Sequence, residues 1–325
     1  MKRPVALLLV LAVVFVGVLG WGFVSYLAPG PADRETVVVV ESGTGLHGVA
    51  AALKRAGAID REDIFFAGVC LSGLAGKLKA GEYAFPARAS KRDIALLLAA
   101  GKSIEHKVTI AEGLTSRMAY DIVKAAPALS GTVGAVPAEG TLLPETYLFR
   151  RGTARDAIIG DMQKAQKTLL DALWPKRAKN LPFKTRRQAV ILASIVEKET
   201  AIPTERRRIA AVFVNRLRIG MRLQSDPTII YGITGGYPLG RGIMKNEIEE
   251  TTPYNTYAIA GLPPGPICNP GKDAIAAVLN PANSKDLYFV ADGSGGHAFA
   301  ETLDEQARNV HSWRRIERTR KATEK

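Results

Sequence analysis

Two carboxylates close an apolar run in ILASIVEKET, residues 191–200: Glu197 and Glu199, on either side of Lys198. On a helix turning roughly 100° per residue, Leu192, Ile195, Val196 and Glu199 follow at i, i+3, i+4 and i+7 along one stripe. Glu199 therefore belongs to the apolar face. Glu197 falls on the other side, near Val190 and Ala193, where side chains are smaller and water reaches more easily. A carboxyl group among large aliphatic side chains loses hydration of its charged form, so its pKa rises and it holds a proton near neutrality. A general acid needs that property. It is expected of Glu199, whereas Glu197 is expected to titrate near the ordinary value of about 4.3.

Downstream segments add polar groups. A second helix, ERRRIAAVFVNRLRIG, is expected to take Thr204 as its N-cap and to stop on Gly220, with Ile209, Val212, Phe213 and Leu217 inward and Asn215 and Arg218 projecting elsewhere. MRLQSDPTIIYG then sets Asp226 before Pro227, the pattern of an N-cap followed by a first-turn proline, and capping is the role expected of Asp226 before any catalytic one. The stretch 250–271, ETTPYNTYAIAGLPPGPICNPG, places Tyr254, Asn255 and Tyr257 beside a proline-rich loop. Stacking faces with short hydrogen-bonding side chains suit a sugar-lined groove, and the same composition suits a loop packed on the core.

Other chemistries find little support. There is no Gly-x-Ser-x-Gly elbow, and Ser294 sits in a GSGG hairpin tip with no base placed near it by the sequence. His47, His106, His297 and His311 lack metal-site spacing, and Cys70 and Cys268 are too few and too far apart for a disulfide framework or a thiolate site. Gly43-x-Gly45-x-x-Gly48 has the shape of a dinucleotide fingerprint, but no second buried strand with a ribose-binding acid follows it. No cofactor and no metal is expected.

These residues must be positioned by 325 residues, enough for one large or two modest domains besides a distinct N-terminus. Val5–Val24 is an uncharged apolar run long enough to cross a bilayer and longer than the apolar core of a cleaved signal. We read residues 5–27 as an uncleaved transmembrane anchor. Lys2 and Arg3 then keep residues 1–4 in the cytoplasm and export the remainder, a single-pass protein of the inner membrane with extracytoplasmic domains. The chain carries a net charge of +13, of which Lys2 and Arg3 account for only two. The exported part is therefore basic itself. Export removes nucleic acid as a partner and leaves anionic lipid or an anionic envelope polymer. The tail 313–325 concentrates positive charge and reads equally well as a solvated helix end.

Residues 28–35 form a Pro/Gly linker with a reach of about 30 Å at most. Residues 36–105 alternate short strands and helices: TVVVV, a helix stopping at Gly57, one capped by Asp60, the strand GEYAF, and a helix opening on Ser90 with Asp93 and closing on Gly101. Residues 106–325 open with HKVTI, pass a loop at 125–140, run mostly helical from 154 to about 219 and end in a hairpin within 286–303. The class is α+β.

In this order, LASIVEKET, VFVNRLRIGMRLQSDPTIIYG, YNTYAIAGLPPGPI and LYFVADGSGGHAF resemble the MltG (YceG-like) endolytic murein transglycosylases over most of residues 35–315. The resemblance implies a LysM-like module at 36–105 and a catalytic domain at 106–325 that cleaves peptidoglycan glycan strands at the membrane. It places the catalytic glutamate of the EKE motif on Glu199. Peptidoglycan synthases are the partner proteins such a placement admits. The sequence departs from the family pattern around Glu145 and at Gln306, where many members have histidine. Gln224, Asp226, Tyr254, Asn255, Tyr257, Asn215 and Glu145 are the residues expected to hold the strand. Two rival readings stand beside this one: a true muramidase with a second carboxylate drawn from Glu145, Glu197 or Asp226, and a scaffold that binds glycan without cutting it.

Overall fold

The computed structural model describes residues 2–323. It is an α+β structure in which helices dominate and the described strands pair only two by two. The chain divides into two compact units. The first comprises Met1–Lys107 with the returns Ala128–Ser130 and Leu148–Thr153, and the second comprises Val108–Pro127, Gly131–Tyr147 and Ala154–Lys325.

The first unit begins with α1 (Lys2–Leu27), followed by β1 (Thr36–Val40), α2 (Leu46–Arg55), α3 (Glu62–Leu71), β2 (Gly81–Phe85) and α4 (Lys91–Ala100). In α1, residues Leu7–Leu27 are apolar and long enough to cross a membrane. The run TVVVV pairs antiparallel with β2, Val38 opposite Tyr83. Because strand side chains alternate, Val38 and Val40 point inward while Val37 and Val39 face out. The inward residues meet Leu53, Phe65, Phe85, Ile94 and Leu98 in a closed core. Ser90 and Asp93 form the expected capping box of α4, and Gly101 ends that helix at φ 69°.

Two expectations fail in this unit. Asp60 does not cap α3, whose N-cap is Arg61 without a side-chain bond; its carboxylate instead takes the buried ammonium of Lys91 at 2.5 Å. A buried lysine needs a partner more than a helix end open to water does. Nor is the stretch after α1 a free tether. Gly30 N–H donates to the Arg88 carbonyl at 3.1 Å, and Arg88 N–H donates to Ala32 at 2.7 Å. A Cβ at Gly30 would lie 2.3 Å from the Ala89 carbonyl oxygen, so the backbone is pressed against its neighbour. The last turn of α1 is fastened as well. The Tyr26 ring is buried against Gly68, where a Cβ would come within 2.3 Å of it, and Lys91 Nζ donates to the Ser25 carbonyl at 3.2 Å.

The strands β3 (Glu105–Thr109) and β4 (Thr146–Arg150) form a pair, and the division between the units falls within both of them. The second unit contains α5 (Ser116–Ala125), α6 (Arg155–Leu173), α7 (Arg186–Glu199), α8 (Pro203–Arg218), α9 (Asp226–Thr234), α10 (Lys245–Glu249), α11 (Lys272–Leu279), the hairpin β5 (Tyr288–Ala291) and β6 (His297–Ala300), and α12 (Leu303–Thr323). Its core is built where α7, α8 and α11 meet. Every residue from Ala189 to Val196 is buried, so α7 is a central helix rather than one with a single inward stripe. Thr204 is not the cap of α8: Ile202 holds that position and Pro203 opens the helix. The hairpin pairs Tyr288 with Ala300 and Ala291 with His297. Gln306 on α12 donates to the Phe289 carbonyl at 3.1 Å, tying the helix to the hairpin.

Candidate active site

Glu199 is the last residue of α7, followed by the C-cap Thr200. Its pKa is pushed up to about 7, first by burial and further by the charge of Asp226; a hydrogen bond from Ser225 and the charges of His297 and Arg216 pull it partway back. The negative end of the α7 dipole acts in the same direction as burial. A carboxyl so placed is divided between its acid and its base near neutral pH.

Among the described residues, the only side-chain hydrogen bond to this carboxyl comes from Ser225, whose hydroxyl donates to Oε1 at 2.5 Å. Ser225 occupies the N-cap of α9, yet its side chain makes no capping bond. Its hydroxyl is diverted to the acid. The diversion is fixed from behind: Ser225 N–H donates to Thr256 Oγ1 at 2.9 Å, the Thr228 hydroxyl donates to the Ser225 carbonyl at 2.6 Å, and Thr228 and Thr256 share a bond of 2.9 Å. All three side chains are buried. Gln224, just ahead, takes φ 52° and donates its N–H to the Thr256 carbonyl, so the connection from α8 to α9 is bent sharply just before Ser225.

Asp226 is the first residue of α9 rather than its cap. Its exposed carboxylate accepts the Tyr257 hydroxyl at 2.6 Å. Burial, and then this bond, push the Tyr257 phenol upward, so it stays a donor at all ordinary pH. Glu199, Ser225, Asp226 and Tyr257 thus share one locale, with Gln224 exposed at its edge.

The remaining expected residues lie elsewhere or face inward. Asn255 is buried, with its amide set over the carbonyls of Glu247, Ile248 and Glu250 and its oxygen accepting Tyr257 N–H at 2.9 Å. It shapes the turn that presents Tyr257. Asn215 likewise donates to the carbonyls of Ser284 and Asp286, holding the chain ahead of the hairpin. Tyr254 packs its ring 4.9 Å from that of Tyr231, whose hydroxyl reaches Glu139 at 3.3 Å. Glu145 is exposed and accepts the N–H of its own neighbour Thr146.

Glu197 departs most from expectation. Its side chain is only 6% exposed, against the expected easy access to water. The segment before α11 covers this face of α7: Ile267 N–H donates to Ser194 Oγ, and Gly271 N–H donates to Glu197 Oε2 at 2.9 Å. Burial raises the Glu197 pKa too, more than the Gly271 bond lowers it. Position on an ideal helix separates the two glutamates only while one side of that helix faces water, and here neither does.

Sequence reasoning overlooked Ser225, Thr228, Thr256, Arg216 and the pair His297–Glu205. The histidine Nδ1 lies 2.7 Å from Glu205 Oε2, while its N–H donates to Oε1 of the same carboxylate. The density of hydroxyls in QSDPT and PYNTY was the available signal for the threonine clasp, since buried hydroxyls need partners. Nothing local in the sequence joins Glu205 to His297, 92 residues away.

Among the described residues the Glu199 carboxyl, poised near neutrality, takes one side-chain hydroxyl and no bond to a second carboxylate, an arrangement able to give and take a proton on an α+β scaffold. A profile of the YceG-like family matches residues 38–312, and the chain belongs to that family. It is 37% identical over 170 residues to a Bacillus subtilis (strain 168) protein named endolytic murein transglycosylase, covering 52% of this chain and 46% of that protein. A Streptococcus pneumoniae serotype 2 (strain D39 / NCTC 7466) protein of the same name is 37% identical over 179 residues, covering 53% and 31%. The chain thus spans less than half the length of these curated relatives. A crystal structure of a yceG-like protein from Listeria monocytogenes aligns over 85% of this chain and 98% of that one, with a TM-score of 0.52 and 28% identity.

Proposed function

We propose that this protein is an endolytic peptidoglycan lytic transglycosylase with Glu199 as its sole acid and base. The observation that carries the reading is the Glu199 carboxyl itself, with a pKa raised to about 7 and, among the described residues, Ser225 as its one hydrogen-bonding side chain. Glu199 protonates the oxygen linking N-acetylmuramic acid to N-acetylglucosamine as that bond breaks. The resulting carboxylate takes the proton of the muramyl C6 hydroxyl while that oxygen closes on C1, leaving a 1,6-anhydro end and consuming no water. Proton transfer by a positioned group of this kind contributes about 10²- to 10⁴-fold. A hydrolase would ordinarily use a second carboxylate as nucleophile or base. Of the three nominees, Glu197 is turned to Gly271, Glu145 bonds to its own neighbour, and Asp226 is engaged by Tyr257. The names of the curated relatives support the same activity. Gln224, Asp226 and Tyr257 are the groups best placed to meet the sugar beside the acid.

The apolar helix is proposed to be a retained inner-membrane anchor with both units outside the cytoplasm, the first unit being the LysM-like module. The burial of Tyr26 within the first unit supports retention, because a cleaved leader contributes nothing to a folded core. On this reading the enzyme works on nascent strands near the membrane, where synthases extend them. The decisive experiment is digestion of purified glycan strands by the full chain in detergent, with the ends read by mass spectrometry. Anhydro ends that vanish in Glu199→Gln are expected. Reducing ends would establish the muramidase, no cleavage by wild type would leave the glycan-binding scaffold, and cleavage by Glu199→Gln equal to wild type would show that Glu199 is not the acid.

A further inference from the structure

The junction of α1 with the first unit encloses a groove of about 770 Å³ that the catalytic reading does not use. One wall is the last turns of α1, including Leu19, Phe23 and Tyr26; the other is α3, through Ile64, Ala67 and Leu71. Leu71 is 86% exposed, an unusual cost for a leucine next to an otherwise well-filled core. Four polar residues line this apolar setting: Asp63, whose carboxylate is held by the Arg61 guanidinium at 2.6 and 2.9 Å, Ser72, Tyr26 and Arg92. Arg92 lines the groove and takes part in no ion pair given by the structure among the described residues, and the Tyr26 hydroxyl, on a residue 6% exposed, makes no hydrogen bond of good geometry.

The depth of the groove follows from a second contact. The Arg61 guanidinium, just ahead of α3, lies 5.2 Å from the centre of the Trp21 ring. Trp21 is six residues, about 9 Å, before the end of α1. Thus α3 overlaps the final turns of a helix whose apolar length fits a bilayer, at the level where tryptophan and tyrosine collect in membrane proteins.

We infer that this groove is a binding site for one anionic phospholipid, with an acyl chain between α1 and α3 and the phosphate at Arg92. The inference rests on the reading of α1 as a membrane anchor. An apolar trough continuous with a spanning helix and carrying a cation at its polar end matches the two halves of that ligand.

The test uses the full chain in lipid nanodiscs of equal phosphatidylglycerol and phosphatidylcholine, released into the gas phase so that retained lipids are counted by native mass spectrometry. Wild type is expected to keep one phosphatidylglycerol in preference to phosphatidylcholine. Arg92→Gln should reduce that preference about fivefold, the effect of one basic residue at an anionic surface. Ala67→Trp, at an exposed position, should fill the groove and abolish retention while leaving the protein in the disc. Retention of both lipids alike by wild type, or retention indifferent to both variants, would overturn the inference and leave the anchor standing. A chain that never enters the disc would overturn the anchor and this site with it.

Discussion

Ser225→Ala tests the central feature of the site, the diversion of a capping hydroxyl onto Glu199. The substitution removes one bond, of 2.5 Å, whose donor has no other acceptor among the described residues. It opens no hole larger than a hydroxyl, and α9 loses no cap because Ser225 provides none. A hydrogen bond to a charged group is worth about 1.5–3 kcal/mol, against about 1 kcal/mol for a neutral pair. The bond therefore favours ionised over protonated Glu199 by about 1 kcal/mol, a little under one pKa unit. Without it the carboxyl should rise from about 7 toward 8. The assay is kcat/KM for release of anhydro ends from purified strands between pH 5 and 10. On the proposed mechanism Glu199 enters the reaction protonated, so its ionisation governs the alkaline limb. At pH 8 about a tenth of wild-type Glu199 is protonated and about half of the variant, so the variant should lose less of its own maximal rate there. The whole limb should move to higher pH, whatever happens to the plateau. A limb that stays in place or moves down would refute both the direction of the Ser225 bond and the assignment of the acid.

Three further outcomes are expected. The rise of the Glu199 pKa from 4.5 to about 7 represents about 3 kcal/mol of folding stability that is intact below pH 4.5 and lost as the pH climbs through 7; Glu199→Gln should therefore unfold at higher urea than wild type at pH 8, with the difference disappearing near pH 4. Glu197→Gln keeps an acceptor for Gly271 N–H and should retain activity within a few fold, whereas Glu197→Leu orphans that donor and should cost about 1–3 kcal/mol in denaturant titrations. Gly68→Ala drives a methyl into the Tyr26 ring and should cost about 1–3 kcal/mol, and Tyr26→Ala in the same chain should recover part of the loss, a non-additivity that a double-mutant cycle measures directly.

What the sequence discloses and what it hides divides along physical lines. Local rules served well wherever the chain answers to itself: the Ser90–Asp93 box, the left-handed Gly101, the alternation in TVVVV and the hairpin around its glycine tip all follow from neighbours a few residues apart. Glu199 was also legible, since its apolar neighbours on α7 are its own sequence. Glu197 was misread because its cover comes from the segment ending at Gly271, which no periodicity on α7 reveals. Asp60, Thr204 and Asp226 were each assigned to a cap from local pattern, and two of them were claimed instead by stronger distant partners, Lys91 for Asp60 and Tyr257 for Asp226. Asn255 and Asn215 look in sequence like hands held out to a ligand. Their amides are spent on carbonyls that only the folded chain brings near.

The fastening of α1 bears on how a soluble version of the protein would be made. Hydropathy marks the end of the apolar run at Leu27, and an expression boundary drawn just after it would seem to discard only the greasy part. The packing draws the line earlier. Such a shortened protein would lose the ring that fills the space over Gly68 and the Ser25 carbonyl that Lys91 reaches, leaving an apolar dent and a buried ammonium with Asp60 as its one remaining partner. Dents of that kind are where chains adhere to one another during purification. A boundary that spares the last turn, with its exposed apolar residues exchanged for polar ones, keeps the plug in the socket and removes only the apolar helix ahead of it.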